Sequence, residues 1–291
     1  MQLLLFIILY PLLWFISILP FRLLYIFSDG MYFLVYRIIG YRKKTVRQNI
    51  ALVLPHLVER ERIQIEKKFY SHMCDMFLEM IKTMNITQKE IDERFKFSNL
   101  ETYQELEKKG KSIALMCAHY ASYEWVLSMN KHISFKGYGI YKQIANKYFD
   151  KLVRTIRSNF KAYLITTKQT KSTIENNTKA GVLGVYGFAS DQTPRWSKRL
   201  YWHRFMGIET PIHTGAETLA KKYDMNVIFL RTKKIKRGYY EASFEVMTED
   251  VQSIPNYKLS EDFMARVEQQ IYEQPEFYLW THKRWKHKKK D

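Results

Sequence analysis

The fold is decided by the stretch Ala114-Leu-Met-Cys-Ala-His-Tyr-Ala-Ser-Tyr-Glu124. The apolar run from Ser112 to Ala118 predicts a buried β-strand, which ends in a polar turn that carries His119. Ser122 is a suitable N-cap, so we expect an α-helix to begin after it, with Glu124 in its first turn. This pattern predicts a strand-turn-helix unit in which a histidine and a carboxylate face one cleft.

His119 and Glu124 could form a general-base pair. An imidazole titrates near neutral pH, and a neighbouring carboxylate can fix its tautomer and raise its basicity. The two residues could also be structural, as a hydrogen-bonded core histidine and an acid that suits the start of a helix. On this pair alone, the structural interpretation is favoured.

The chain beyond about residue 98 predicts an α/β fold, because apolar strand-like runs alternate with helical stretches. The predicted strands are residues 113–118, 137–141, 163–166, 182–188 and 227–231, and the predicted helices are residues 145–159, 170–180 and 214–223. We therefore expect a mostly parallel central sheet flanked by helices. The sequence Lys236-Arg-Gly-Tyr239 predicts a hairpin turn, so the last strands should be antiparallel.

Residues 1–21 carry no charged side chain and predict a membrane-anchoring helix. The apolar run from Leu3 to Leu19 is marginally long enough for a bilayer, which needs about 20 residues. A secretory signal peptide fits less well, because a positive start and a small-residue cleavage site are both missing. Basic residues follow this segment, so the positive-inside rule places the rest of the chain in the cytoplasm.

We divide the chain into an anchor at residues 1–21, an amphipathic region along the membrane surface at residues 22–58, and a main domain at residues 59–291. A long helix over residues 59–85 opens the main domain. Its apolar stripe is rich in methionine, which favours a core face and would also suit a flexible acyl chain.

The formal net charge of +18 implies an anionic partner. A membrane surface or an acidic protein fits better than nucleic acid, because no nucleic-acid-binding motif is present and the chain begins with an apolar segment. Six basic residues between Thr281 and Asp291, next to Trp280 and Trp285, suit an anionic membrane interface. Cys74 and Cys117 lie in apolar runs and predict buried thiols, and no His/Cys cluster has metal-ligand spacing, so we expect no structural zinc.

Two further polar stretches could meet His119 where open α/β sheets bind ligands. Arg154 and Arg157 lie three residues apart on one helix face, downstream of Asn146, and could bind phosphate or carboxylate or simply face solvent. Asp191-Gln192 follows an apolar strand, a position typical of site residues and also of ordinary turns.

In this order, these stretches resemble the lipid A biosynthesis acyltransferases, which are the lauroyl and myristoyl transferases of Gram-negative bacteria. The resemblance covers nearly the whole chain, and four motifs in the right order are fairly specific. The matching residues are Arg47-Gln-Asn49; His119-x4-Glu124; Asn146 with Arg157; Asp191-Gln192 with Phe205-Met-Gly207, Thr210 and Leu219-Ala220; and Pro275 with Tyr278-x-Trp280-x-His282-x-Arg284-Trp285. Ala121-Ser122-Tyr123 stands where the family often has Gly-Asn-Trp.

The resemblance implies a glycerolipid acyltransferase-like fold and a membrane-associated O-acyltransferase on the cytoplasmic face of the bacterial inner membrane. Such an enzyme transfers a fatty acyl group from acyl carrier protein, or sometimes coenzyme A, to a hydroxyl of a lipid A precursor, and we expect no cofactor. Residues 59–291 would then be the catalytic domain. His119 would be the general base and Glu124 its orienting partner. The substrate-binding residues implied are Arg157, Asp191, Gln192, Arg154 and Asn146.

Two alternatives stay open. The acceptor could be another amphiphile, such as an amino-acid lipid or a glycolipid, because relatives with the same motif act on these. A non-catalytic membrane-surface protein is the alternative from a different class. An acidic acyl carrier protein would be attracted by basic residues near the predicted site. These are Arg195, Lys198, Arg199, Lys221 and Lys222.

Overall fold

A seven-stranded sheet lies at the centre of the computed structural model, which describes residues 2–197 and 200–289. Met1, Lys198, Arg199, Lys290 and Asp291 lie outside the described residues. In spatial order the strands are β1 (Phe95–Phe97), β9 (Tyr239–Thr248), β8 (Asn226–Lys236), β2 (Ile113–Cys117), β5 (Gly184–Ala189), β3 (Lys136–Tyr141) and β4 (Tyr163–Thr166).

Five neighbouring strands, from β8 to β4, run parallel, whereas β9 is antiparallel to β8 and β1 follows the direction of β9. The predicted mostly parallel sheet is therefore confirmed. The hairpin prediction is also confirmed, since β8 ends at Lys236 and β9 begins at Tyr239. A separate two-stranded hairpin contains β6 (Tyr201–Phe205) and β7 (Ile208–Ile212).

The helices that accompany the sheet match the predicted positions within a few residues. The prediction at residues 59–85 corresponds to α4, and those at 145–159, 170–180 and 214–223 correspond to α7, α8 and α9. Their bounds are α4 (Glu59–Lys82), α5 (Gln88–Arg94), α6 (Leu100–Lys108), α7 (Lys147–Ser158), α8 (Thr170–Lys179), α9 (Gly215–Lys222) and α10 (Lys258–Glu273), with a 3₁₀ turn at Pro275–Phe277.

The segment after β2 differs from the prediction. In place of an α-helix, the chain turns at Ala121, where φ is 49°, and then forms a 3₁₀ helix at Trp125–Lys131. The indole Nε1 of Trp125 donates to the Thr83 hydroxyl just beyond α4 at 3.0 Å. The prediction was therefore wrong in helix type. The buried Trp125 side chain fixes the position of this short segment, and 3₁₀ geometry suits such short connections.

The N-terminal region is helical and consists of α1 (Gln2–Ile18), α2 (Phe21–Tyr32), a π-helical stretch at Phe33–Ile39, and α3 (Lys43–Val53). Within the described residues, no single helix is both long and apolar enough to cross a bilayer. Two consecutive helical segments, Phe21–Ile39 and Lys43–Val53, meet the length and composition criteria when taken together, but they are bent by 90° relative to each other. The predicted transmembrane anchor is therefore not confirmed. The ring of Phe6 on α1 instead stacks against Tyr148 on α7, with 5.7 Å between the ring centroids.

A buried polar cluster on α4 joins the N-terminal helices to the β8–β9 hairpin. Asp75 accepts hydrogen bonds from the Ser28 hydroxyl at 2.8 Å and from the Arg237 guanidinium at 2.7 Å. Glu79 accepts from the hydroxyls of Tyr25 and Tyr240, each at 2.8 Å, and burial raises the pKa of Glu79 to about 7. The apolar periodicity of α4 gave no sign of this cluster. The Ser28 and Tyr25 contacts cross the predicted boundary between residues 58 and 59, and the Phe6–Tyr148 contact joins residues 1–21 to the main domain, while the boundaries themselves stay predictions.

Asn49 ties α3 to the C-terminal part of the chain. Its side-chain amide is buried and donates to the backbone oxygens of Trp280 at 2.9 Å and His282 at 2.8 Å. These residues are more than 230 positions apart in the sequence, so the amide joins two distant ends of the chain.

Replacing Asn49 with alanine should lower the free energy of unfolding by about 1–3 kcal/mol, because two buried carbonyl groups lose their donor. Chemical denaturation followed by fluorescence would measure this change. Asn176→Ala is the control, since Asn176 is exposed on α8 and its replacement should change stability by less than about 0.5 kcal/mol. Equal stability of the two variants would contradict the role given to Asn49.

Candidate active site

A cleft of about 690 Å³ opens at the carboxyl ends of β2, β5 and β3. His119, Glu124 and Arg157 lie on its wall, together with Ser190 and His213. Open α/β sheets bind their ligands at this edge, because the loops that follow parallel strands converge there.

His119 and Asp191 come together because of the strand register. Cys117 on β2 pairs with Ala189 on β5, so both site residues lie two positions beyond a paired position. Nδ1 of His119 lies 2.7 Å from Oδ1 of Asp191, and the backbone N–H of His119 donates to the same oxygen at 3.0 Å. One carboxylate oxygen therefore fixes both the turn and the imidazole ring.

The C-terminal stretch holds this turn from the other side. The backbone N–H of Ala121 donates to the Phe277 oxygen at 3.0 Å, and the N–H of Leu279 donates to the His119 oxygen at 3.2 Å. These two hydrogen bonds flank an isolated antiparallel bridge between Tyr120 and Tyr278. The turn that carries His119 is therefore supported by backbone on both sides.

Asp191 is fully buried and is itself positioned by several groups. The Gln192 amide donates to its Oδ2 at 3.0 Å, and Nε of Arg284 donates to its backbone oxygen at 2.7 Å. Arg284 is only 1% exposed, and its Nη1 also donates to the Thr210 hydroxyl at 3.1 Å. The guanidinium of Arg284 thus holds the backbone of Asp191 in place.

The pKa shifts of the pair follow from this geometry. Burial favours a lower pKa for His119, but the charge and hydrogen bond of Asp191, with a smaller effect from Glu124, hold the pKa above its ordinary value. Burial favours a higher pKa for Asp191, yet interactions with His119 hold the pKa below its ordinary value. The pair is stabilised as imidazolium and carboxylate, which is the state that a general base reaches after accepting a proton.

Two other histidines interact electrostatically with Asp191 but have the opposite shift. Burial lowers the pKa of His213, and burial lowers the pKa of His282 to about 4. Both imidazoles are therefore neutral near neutral pH, which distinguishes His119 as the histidine of this cleft with raised basicity.

The predicted hydrogen bond between His119 and Glu124 is wrong. Glu124 instead accepts two hydrogen bonds from Arg157, from Nε at 2.9 Å and from Nη2 at 2.6 Å. Forked pairing of this kind is the arrangement that a guanidinium and a carboxylate prefer. Asp191 takes the orienting position because strand register brings it to the imidazole, whereas Glu124 follows a turn that points it towards α7.

The remaining predicted site residues lie away from the cleft wall. Asn146 caps α7, where its Oδ1 accepts from the backbone N–H groups of Tyr148 at 3.0 Å and Phe149 at 3.4 Å. Arg154 is exposed on α7, and the Gln192 side chain contacts the Asp191 carboxylate. In the structure Asn146 therefore caps a helix and Gln192 supports Asp191, while the substrate contacts expected of Asn146, Arg154 and Gln192 stay predictions.

The deep part of the cleft is apolar. Leu115, Val126, Leu127, Ile133 and Leu164 contribute to its wall. Cys117 also lies there, and burial raises the pKa of its thiol to about 12, so this cysteine is not a reactive thiolate near neutral pH. A cleft with a polar mouth and an apolar interior suits a ligand with a reactive headgroup and a hydrocarbon chain.

Residues 2–287 match the family described as bacterial lipid A biosynthesis acyltransferase, which is nearly the whole chain. The chain belongs to this family. No match was found among the curated proteins. Family membership establishes that the protein is an acyltransferase of lipid A biosynthesis in general and argues against a non-catalytic membrane-surface protein.

The pairing of Glu124 with Arg157 predicts strong coupling between the two side chains in this lipid A acyltransferase. Their side chains are only 10% and 20% exposed, so Glu124→Ala or Arg157→Ala should each cost about 1–3 kcal/mol of stability by leaving a partly buried charge unpaired. The double variant should lose less than the sum of the two single losses. Denaturant titration of all four proteins would measure the coupling.

The pair of Glu175 and Lys179 on α8 is the control for this cycle, because its side chains are more exposed, at 36% and 72%. Its double-mutant cycle should show little coupling. Additive losses for Glu124 and Arg157 would mean that the two side chains do not form an energetically significant pair.

Proposed function

We propose that this acyltransferase moves a fatty acyl group from an acyl carrier protein thioester to a hydroxyl of a lipid A precursor, with His119 as the general base. The supporting observation is the 2.7 Å contact between Nδ1 of His119 and Oδ1 of Asp191, on a cleft with an apolar interior. This contact raises the basicity of an imidazole at a place where a hydroxyl and an acyl chain could both be bound.

The contact with Asp191 selects the neutral tautomer of His119 that carries its proton on Nδ1, which leaves Nε2 free to accept another. Nε2 takes the proton of the acceptor hydroxyl as its oxygen bonds to the thioester carbonyl carbon. The carbon–sulfur bond then breaks, and the imidazolium returns the proton to the leaving thiolate. Asp191 stabilises the imidazolium throughout, so the reaction ends with His119 neutral again.

The developing negative charge on the carbonyl oxygen needs donors. Arg157 uses Nε and Nη2 to hold Glu124, so its main contribution is to position that carboxylate and add positive charge at the cleft wall. Gly215 and Ala216, at the start of α9, also line the cleft. The first backbone N–H groups of a helix have no partner within it and favour negative charge, so these groups are suited to bind the oxyanion.

The proposed donor is an acidic carrier protein, which basic residues near the cleft would attract. Arg195 and Lys222 are exposed and suited to this role. Lys221 is less suited, because its Nζ already donates to the Ile254 oxygen at 2.7 Å and to the Asn256 side chain at 2.9 Å. The other two predicted docking residues, Lys198 and Arg199, lie outside the described residues.

Turnover should fall by about 10²–10⁴-fold in His119→Ala, because one positioned base contributes that much. Turnover should fall more in Asp191→Asn than in Glu124→Gln, since the Asp191 carboxylate contacts the imidazole and the Glu124 carboxylate does not. Each rate should be measured per folded molecule, with a lipid A precursor as acceptor and an acyl carrier protein thioester as donor.

Thermal unfolding of each variant serves as the control for loss of structure. A stably folded His119→Ala protein that transfers acyl groups at the wild-type rate would exclude His119 as the base. A Glu124→Gln variant more impaired than Asp191→Asn would return the orienting role to Glu124.

Membrane association is part of the same proposal. Large apolar side chains are exposed along the N-terminal helices, and an apolar face of this kind suits the interface of a bilayer. On α1 these residues are Leu3, Leu4, Leu5, Ile7, Ile8, Leu12, Trp14, Phe15 and Ile18, and on α2 they are Leu23, Ile26 and Phe27. A lipid-bound acceptor would then meet the enzyme at the membrane surface.

Binding to vesicles that contain phosphatidylglycerol should weaken by more than about tenfold when Leu4 and Ile8 are both changed to aspartate, because each buried aliphatic side chain contributes about 1.5–3 kcal/mol. Both side chains are more than 60% exposed, so the fold should tolerate the change. Leu183→Asp, a change at an exposed apolar residue outside the N-terminal helices, is the control. Unchanged sedimentation of the double variant with vesicles would contradict this binding face.

A further inference from the structure

The floor of the cleft is made by rows of side chains that cross three strands. The register places Leu115 of β2, Gly187 of β5 and Gly139 of β3 in one row. All three residues line the cleft, and two of them have no side chain. The row is therefore a broad depression in the sheet surface.

This row lies at a defined depth below the catalytic pair. Leu115 and Gly187 each precede a member of the pair, His119 or Asp191, by four residues. A strand rises about 3.3 Å per residue, so the row is about 13 Å from the pair measured along the chain. A linear chain whose reactive end lies at His119 would reach this row if it extends about 13 Å or more.

The next row marks the closed end of the cleft. It contains Val185 and Gly137, which pair across β5 and β3. A Cβ built on Gly137 would lie 1.4 Å from Oδ1 of Asn130, so the Asn130 side chain occupies the space above this glycine. Nδ2 of Asn130 donates to the Leu127 oxygen at 2.8 Å, which holds the amide in place.

We infer that Gly187 and the Asn130 side chain set the length of the donor acyl chain that the enzyme accepts. Gly187 keeps the middle of the cleft open, and Asn130 closes its far end over Gly137. The inference rests on the proposed function, because it needs an acyl chain to extend from His119 into the apolar interior.

Gly187 can be changed without disturbing the sheet. An added Cβ there would meet the Tyr138 backbone oxygen at 3.6 Å, which is ordinary van der Waals contact. Gly139 is less suitable, because its Cβ would meet a Leu164 methyl group at 3.0 Å. The methyl group of Gly187→Ala would thus enter the cleft and leave the surrounding protein in place.

The test compares kcat/KM for acyl carrier protein thioesters of increasing saturated chain length, with one fixed acceptor. Gly187→Ala should lower the ratio of long-chain to short-chain kcat/KM by about tenfold or more, since one methyl group in an apolar pocket typically changes selectivity by about 10–200-fold. Asn130→Ala should shift the ratio in the opposite direction, because it opens the far end. Gly30→Ala, at a glycine of α2 with nothing within 4 Å of its added Cβ, should keep the wild-type ratio.

Opposite shifts in the two cleft variants support the inference. An active Gly187→Ala enzyme with the wild-type ratio overturns it while leaving the proposed function intact. An unchanged ratio in Asn130→Ala, with unchanged thermal stability, overturns the role of Asn130 at the closed end. A wild-type enzyme that uses no acyl carrier protein thioester of any length overturns the proposed donor and, with it, the inference.

Discussion

The parallel register of β2 and β5 is the constraint on which the site depends. It pairs Cys117 with Ala189, and the two chains then leave the sheet side by side, so that His119 and Asp191 meet two residues later. A carboxylate buried at this point would be unstable without partners. It is satisfied by the His119 backbone, the imidazole and the Gln192 amide, and the first two of these contacts also fix the position of the ring.

The C-terminal stretch completes the site although it adds no strand to the central sheet. It pairs with the turn around Tyr120, and Arg284 reaches the Asp191 backbone from the opposite side. Asn49 then ties the same stretch to α3. The catalytic turn is therefore connected through hydrogen bonds to the N-terminal helices, whose exposed apolar side chains form the proposed membrane surface. The proposed membrane surface and the site are thus joined through one set of hydrogen bonds.

Much of the fold could be predicted from local patterns. Apolar runs located the strands, Lys236-Arg-Gly-Tyr239 located the hairpin, and helical periodicity located α4 and the helices after β3. Each of these patterns is formed by residues that lie close together in the sequence, so it can be recognised from the sequence alone. The helix type after Ser122 was missed, because the buried Trp125 that pins this segment has its partner, Thr83, far away in the sequence.

The site was only partly predictable, for a related reason. His119, Glu124, Arg157 and Asp191 could be recognised as candidates, but their pairing depends on which strands are neighbours, and β2 lies beside β5 although β3 and β4 intervene in the sequence. The cleft floor was missed as well. The alternation of glycine with bulky residues in Gly137-Tyr-Gly-Ile-Tyr141 was a visible signal of an open strand face.

The most direct test of the central contact is an NMR titration of the His119 imidazole in the folded, detergent-solubilised enzyme. With Asp191 as its partner, His119 should titrate above the ordinary histidine pKa of about 6.5, and the value should fall in Asp191→Asn, because burial then acts without the compensating charge. Glu124→Gln should lower the pKa less. An ordinary or lowered pKa for His119 in the wild-type enzyme, or one that does not change in Asp191→Asn, would contradict the role of Asp191 as the group that raises its basicity.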